Sequence, residues 1–255
     1  MRFASLGSGS SGNATLVQDS DTLLLVDCGF TAKETELRMQ RLDVSASQLN
    51  AIVVTHEHSD HIKGVGVLAR KHKVPVYMTE GTFASKDFGV LPSINIIKNY
   101  QSFEVGSISV EPIVVPHDAR EPAQYVFCNQ EGVQLGVLTD LGSLTPHIIE
   151  SFQGCDGLLV EANHDIEMLA AGPYPPSLKS RVASPWGHLN NCQTADFLAK
   201  CNLERLQEIV VGHISQKNNS LESVKNELDQ VIALANSIHF ACQDRGFDWL
   251  QLKAA

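Results

Sequence analysis

The sequence predicts an α/β fold of two β-sheets covered by helices within a single domain. Three observations predict it. Strand-like apolar runs dominate at first, and helical patterns intersperse throughout. No Pro/Ser/Gly-rich linker and no short-period repeat divides the 255 residues. At 43% apolar and 19% charged, the chain has the side chains for a substantial core and is not disordered by composition.

The elements follow in order. Residues 2–6 and 14–18 are strands flanking a Gly/Ser-rich turn at 7–13. Residues 23–26, Leu-Leu-Leu-Val, form a continuous apolar run ending at Asp27-Cys28-Gly29, as a buried strand does. Thr31 is placed to cap a helix through Leu37 and Leu42. Residues 51–55 are another buried strand, and Ser59 reads as the N-cap of a helix running to Lys71. Residues 74–78 return as a strand. The stretch 94–139 is strand-rich, with β-branched runs at 108–115, 125–128 and 133–138. Strands at 157–161 and 208–212 follow, with helical segments near 165–171, 177–182 and 191–201. A last long helix is expected over 221–237, and residues 247–250 close the chain as an edge strand.

Composition excludes several classes. No stretch approaches the roughly 20 apolar residues that span a bilayer, and Met1–Ser5 opens like a strand with no apolar signal core. Six cysteines without a CxxC pair read as small buried hydrophobes in a reducing compartment. The expected location is therefore cytoplasmic, with no membrane partner. Twenty-nine acids against 19 bases give a net charge of −10, which disfavours a general nucleic-acid coat but leaves room for a local basic patch at a cleft.

The ten histidines are the anomaly. Four ligand-type residues, His56, His58, Asp60 and His61, fall in one six-residue run at a strand-to-helix junction. His56 and His58 project from one side of an extended segment, and Asp60 and His61 lie on the first helical turn. Imidazole and carboxylate are what zinc-like ions prefer, and such groups gathered without a cation are costly to bury. His117, Asp140 and His213 each stand just past an apolar β run, where an open sheet offers its binding edge.

These residues resemble the metallo-β-lactamase-fold hydrolase superfamily. His56, His58, Asp60 and His61 match its HxHxDH motif, and His117, Asp140, His213 and Asp27 match its single-residue motifs. The resemblance implies a four-layer αββα sandwich with a two-metal site. It implies that His56, His58 and His117 hold one ion, that Asp60, His61 and His213 hold the second, that Asp140 bridges both, and that Asp27 orients a ligand or the bridging water. The strings Ser8–Asn13, Glu161–Asp165, Gly172–Lys179, Gly187–Leu189 and Gly212–Asn219 are similar to the bacterial YycJ/WalJ group, described as metal-dependent exonucleases. Asn190 departs from that pattern, where a Ser often follows Gly-His-Leu.

The implied reaction is hydrolysis by a hydroxide bridging two divalent ions, zinc or manganese with iron also fitting. The expected partner is DNA or another phosphodiester. A small phosphodiester, thioester or lactone is the alternative, and a non-catalytic metal-binding regulator is the third. Asp60, Asp140 and His188 are the candidate catalytic residues. Ser10, Asn13, His164, Lys179 and Lys217 are candidate phosphate contacts, with Arg181 beside Lys179 as a clamp. The 7–13 loop reads either as a phosphate cradle or as a turn. His164 and His188 read either as cleft residues or as packing, and Lys217 either as a substrate contact or as part of a capping loop. His72, His147 and His239 read as structural.

Overall fold

The computed structural model describes residues 1–232 and 238–254. The first half runs β1 (Arg2–Gly7), β2 (Ala14–Asp19), β3 (Thr22–Val26), α1 (Ala32–Arg41), β4 (Ala51–Val53), α2 (Ser59–Ile62), α3 (Val65–His72), β5 (Val76–Thr79), α4 (Glu80–Ser85) and β6 (Ile94–Ile97). The second runs β7 (Phe103–Val105), β8 (Ile108–Val114), β9 (Ala123–Asn129), β10 (Gln134–Leu138), α5 (Pro146–Ser151) and β11 (Gly157–Glu161). It continues through α6 (Ile166–Ala171), α7 (Pro176–Val182), α8 (Asn191–Lys200), β12 (Glu208–Gly212), α9 (Leu221–Ile232), β13 (Ile238–Phe240) and β14 (Phe247–Gln251).

Among the described residues the strands form two seven-stranded sheets, ordered β14-β1-β2-β3-β4-β5-β6 and β13-β12-β11-β10-β9-β8-β7. Phe3, Leu24, Val53, Tyr125, Phe127, Leu135 and Val210 belong to the core between them. The outer face of the first sheet packs on α1 and α3 through Met39, Leu68 and Ala69. The outer face of the second packs on α5, α8 and α9 through Ile148, Phe197, Leu198 and Val224. These are the four layers of the expected αββα sandwich. Covering both faces of a sheet explains why β3 and β11 are buried at every residue rather than alternating.

The strand directions position the site. β3, β4, β5 and β6 run parallel, as do β10, β11, β12 and β13. β8 is antiparallel to β9, which is antiparallel to β10, so β8 runs with β10. The carboxyl ends of β3, β4, β8, β10, β11 and β12 therefore carry the loops that meet at one rim, the usual binding edge of such sheets.

Several expectations are corrected. The helix expected from Ser59 is two helices, and His58 rather than Ser59 occupies the N-cap position. The break falls at Gly64, whose amide donates to the Cys28 carbonyl. A Cβ there would lie 2.3 Å from the Phe30 carbonyl oxygen, so the chain turns to stay packed on the loop after β3. Helices α4 and α5 and strand β13 are additional to the expected elements. Both helices have legible starts, since the Thr79 and Thr145 hydroxyls accept the N3 amides and Pro146 opens α5. The last helix is seen over 221–232, and the remainder of the expected span, 233–237, lies outside the described residues. Among the described residues β14 pairs with β1 alone, an edge strand as expected.

Candidate metal centre

The HxHxDH run leaves β4 at the rim. Gly29 makes its placement possible: a Cβ there would lie 1.7 Å from the Asp60 carbonyl oxygen, so only glycine allows the loop after β3 to pass. Asn13 donates its amide N–H to Asp60 O, and Cys28 donates its own to His61 O. Both sides of the run are thus tied to the first sheet.

Side-chain hydrogen bonds at the Nδ1 of His56, His61 and His117 assign the other nitrogen of each ring to the centre. Thr55 donates its hydroxyl to Asp27 Oδ2 at 2.8 Å and accepts from His56 Nδ1 at 2.9 Å, leaving His56 Nε2 free. His61 Nδ1 donates to Asp27 Oδ2 at 2.8 Å, and His117 Nδ1 to the Gly187 carbonyl at 3.0 Å. Both residues then offer Nε2. His58 offers Nδ1, which lies 3.0 Å from His56 Nε2 and 3.2 Å from His117 Nε2. Asp60 Oδ2 lies 3.5 Å from His61 Nε2 and 3.8 Å from His213 Nε2.

Asp140 stands between the two groups. Its Oδ2 is 3.2 Å from His61 Nε2 and its Oδ1 is 3.3 Å from His213 Nδ1. His56, His58 and His117 form one candidate ligand set and Asp60, His61 and His213 another, while Asp140 joins further sets with His56 and His61 and with His188 and His213. All seven residues expected as ligands converge here.

Two of these ligands, and Asp27 beside them, carry a backbone cost. Asp27, Asp140 and His213 have φ values of 61°, 53° and 51°. Each follows a strand directly or, for Asp140, one residue later. Left-handed backbone at non-glycine residues recurs where a site over-determines the chain.

Electrostatics divide the imidazoles. Burial holds the pKa of His56 well below its ordinary value, and it takes His117 down to about 4, so both are neutral. Burial also disfavours charge on His61, but Asp140, Asp27 and Asp60 outweigh it and hold its pKa well above the ordinary value. His213, likewise opposed by burial, rises to about 10 beside Asp140, Asp60 and Glu161. Burial works against ionisation of Asp60 and Asp140, yet the neighbouring imidazoles keep both carboxyls well below their usual range.

A divalent cation fits this donor set. Among the described residues, Asp140 Oδ2 and His213 Nε2 are buried without a hydrogen-bond partner, which is costly unless a cation meets them. His58 Nδ1 lies within 3.2 Å of the nitrogens of two neutral rings, His56 Nε2 and His117 Nε2, and three such nitrogens can satisfy a shared cation.

Glu161 and Asp118 stand at the site outside the sequence-derived candidates, with Asp118 Oδ1 3.6 Å from His58 Nε2 and 3.5 Å from His117 Nε2. Glu161 is the last residue of β11 and is fully buried. Its Oε1 accepts from the Leu141 and Leu189 amides, and its Oε2 lies 3.1 Å from His188 Nδ1 and 3.4 Å from His213 Nδ1. Burial opposes its charge, but His188 and His213 bring its pKa down to about 2. An acid ending an apolar strand is the signal, the same one that points to Asp140.

The remaining candidates separate. A cleft of about 360 Å³ opens over the centre, and Ser10, Asp60, Asp140, Arg181, His188 and His213 are among its lining. Lys179 and Lys217 are not. Lys179 donates to the Ala170 carbonyl, and the Lys217 ammonium lies 5.8 Å from the ring centroid of Tyr174, which does line the cleft. Asn13 is buried, with its amide on Gly9 O, Asp60 Oδ2 and His61 Nε2. His164 is 2% exposed, and burial lowers its pKa to about 4. Neither lines the cleft. The 7–13 loop is a clasp rather than an open cradle, because the amides of Ser8, Gly9, Ser11, Gly12 and Asn13 are all donated within the protein. His72 and His239 pair with Glu36 and Glu208.

A sandwich of two such sheets with a His/Asp cluster at the rim defines a metal-dependent hydrolase of the metallo-β-lactamase fold. The beta-lactamase superfamily domain model matches residues 22–214. The chain is 37% identical over 238 residues to exodeoxyribonuclease YycJ of Bacillus anthracis, covering 91% of this chain and 89% of that one. It is 37% identical to exodeoxyribonuclease WalJ of Streptococcus pneumoniae serotype 2, covering 87% and 84%. Among solved structures, Zn(2+)-bound PqqB from Methylobacterium extorquens superposes with a TM-score of 0.74 at 18% identity over 99% and 100% of the two chains, a likeness of fold. The chain belongs to the metallo-β-lactamase superfamily and, within it, to the family that includes YycJ and WalJ.

Proposed function

We propose that this hydrolase is a dinuclear-metal phosphodiesterase that shortens DNA from its ends, working in the cytoplasm as one domain over residues 1–255. The observation that carries the reading is the Asp140 carboxylate, standing between two ligand triads under a cleft lined largely by polar side chains. In this reading His56, His58 and His117 hold one ion, Asp60, His61 and His213 hold the other, and Asp140 is shared. Zinc and manganese both suit such ligands. The pair of ions supplies Lewis acidity and a water acidic enough to ionise near neutral pH.

The chain's own groups do the rest. Glu161 engages His188 Nδ1, so His188 Nε2 is the nitrogen left to give a proton to the leaving oxygen. Asp27 and Thr55 hold His61 and His56 in their ligand orientation. Arg181, ion-paired to Asp118, puts a guanidinium on the cleft wall, where a phosphate oxygen is bound. Ser10 faces the same space. The DNA substrate is supported by the kinship to YycJ and WalJ.

The second reading, a small phosphodiester, thioester or lactone substrate, is favoured by the net charge of −10. End-labelled duplex DNA and a nitrophenyl phosphodiester, each given to zinc- or manganese-loaded protein, separate the readings. Progressive shortening of DNA is expected. Turnover of the reporter alone favours a small substrate, and turnover of neither favours a regulator without catalysis.

A further inference from the structure

The catalytic cleft is a poor place for more than one phosphate. Three acids line it, Asp60, Asp118 and Asp140, and its one arginine, Arg181, is already paired to Asp118. A polymer's remaining charges must be met elsewhere. A second groove of about 370 Å³ lies beside it, and Ser59 lines both. That volume is in the range of small-ligand sites.

The groove has the opposite charge balance. Lys63, Arg70 and Lys86 line it, against one acid, Asp87, whose Oδ1 accepts from the Gly89 amide. Among the described residues none of these three bases is in an ion pair, whereas Arg38, Lys71, Arg181, Lys200 and Arg205 all are. Arg70 is held in place, because its NH1 donates to the Phe88 carbonyl at 2.6 Å. Gly66 lets that loop lie on α3, since a Cβ there would sit 2.2 Å from the same carbonyl oxygen. On the apolar side the lining includes Ile62, Phe88 and the 53% exposed Val67, and Phe83, outside the lining and 39% exposed, stacks on Phe88. A row of cations beside an exposed apolar and aromatic surface is the chemistry that grips a single nucleic-acid strand.

We infer that this groove binds the backbone of the DNA strand trailing from the scissile bond, the strand passing from cleft to groove across Ser59. The inference rests on the DNA-degrading reading above. It assigns Lys63, Arg70 and Lys86 to phosphates two or more nucleotides from the reacting one. Such contacts carry little sequence preference and strong salt dependence.

The test is the manganese-loaded double variant Lys63→Ala/Lys86→Ala, with Lys63→Glu/Lys86→Glu as a second variant and thermal melting as the check on folding. An end-labelled single-stranded oligonucleotide and a nitrophenyl phosphodiester are the two substrates. The KM for the oligonucleotide is expected to rise about tenfold, and its log–log salt slope to fall by about 1.4, near 0.7 for each phosphate no longer neutralised. The kcat/KM for the reporter stays unchanged, and charge reversal enlarges the effect on DNA. An oligonucleotide KM and salt slope equal to wild type overturn the groove while leaving the DNA reading intact. A wild type that shortens duplex DNA but not the oligonucleotide overturns the groove alone, and one that cleaves the reporter but neither DNA overturns the DNA reading and the groove with it.

Discussion

Glu161 Oε2 lies 3.1 Å from His188 Nδ1, and the carboxylate is fully buried. A charge in that position is kept only where its partners repay its desolvation. Here the same carboxylate also accepts two backbone amides and faces His213, so it orients a cleft imidazole and a ligand imidazole together.

Replacing Glu161 by Gln keeps the shape and removes the charge. Turnover of a phosphodiester reporter is expected to fall about 10- to 100-fold, as for other partners of metal-site histidines. Steady-state kinetics and metal content on the same sample check it. Unchanged kcat and metal content would contradict the role.

Gly29 sets the distance between the loop after β3 and the HxHxDH run. Gly29→Ala forces a methyl group into the Asp60 carbonyl. A loss of about 1–3 kcal/mol of stability is expected, typical of overpacking, with weaker metal binding at the Asp60 group. Urea unfolding and metal titration measure both, and wild-type values in both would contradict the account.

Loading metal should release protons. In the metal-free protein His61 and His213 have raised pKa values, about 10 for His213, so both are protonated at pH 7.5, and a cation requires them neutral. The sign for stability follows from the same shift. A raised folded-state pKa stabilises fully below the unfolded value of about 6.5, and the gain is lost as pH rises through about 10. The melting temperature of chelated protein is expected to fall between those limits. Calorimetric metal titrations at pH 7.5 in two buffers of different ionisation enthalpy should give different heats. Identical heats would contradict the charged imidazoles.

His58→Ala removes the one histidine nitrogen that faces both His56 and His117. Turnover is expected to vanish, as it should on chelation of wild type, with manganese or zinc restoring wild type but not the variant. Melting within a few degrees of wild type would show that the fold survives. Retained turnover at full metal content would count against the ligand role.

Much of this is legible because ligands at strand ends leave a plain pattern: an apolar run, then one His or Asp. His117, Asp140 and His213 are readable that way, and so is the sandwich, from the continuous apolar runs within strands such as β3 and β11, which are buried throughout. Glu161 ends its strand in the same manner but does not stand out, because a lone acid at a strand end shows nothing of His188 and His213 across the fold. The break at Gly64 is illegible for a similar reason, since it depends on the carbonyl of Phe30, brought close by tertiary packing. Asn13 and His164 carry side chains suited to phosphate, and only the burial of each reveals another use.

The central claim is that seven side chains grip two cations with Asp140 shared. Anomalous diffraction at the metal absorption edge, on crystals of protein loaded with zinc or manganese, tests it most directly. Two peaks are predicted, one on His56, His58 and His117 and one on Asp60, His61 and His213, with the Asp140 carboxylate between them. A single peak, or peaks away from Asp140, would contradict it.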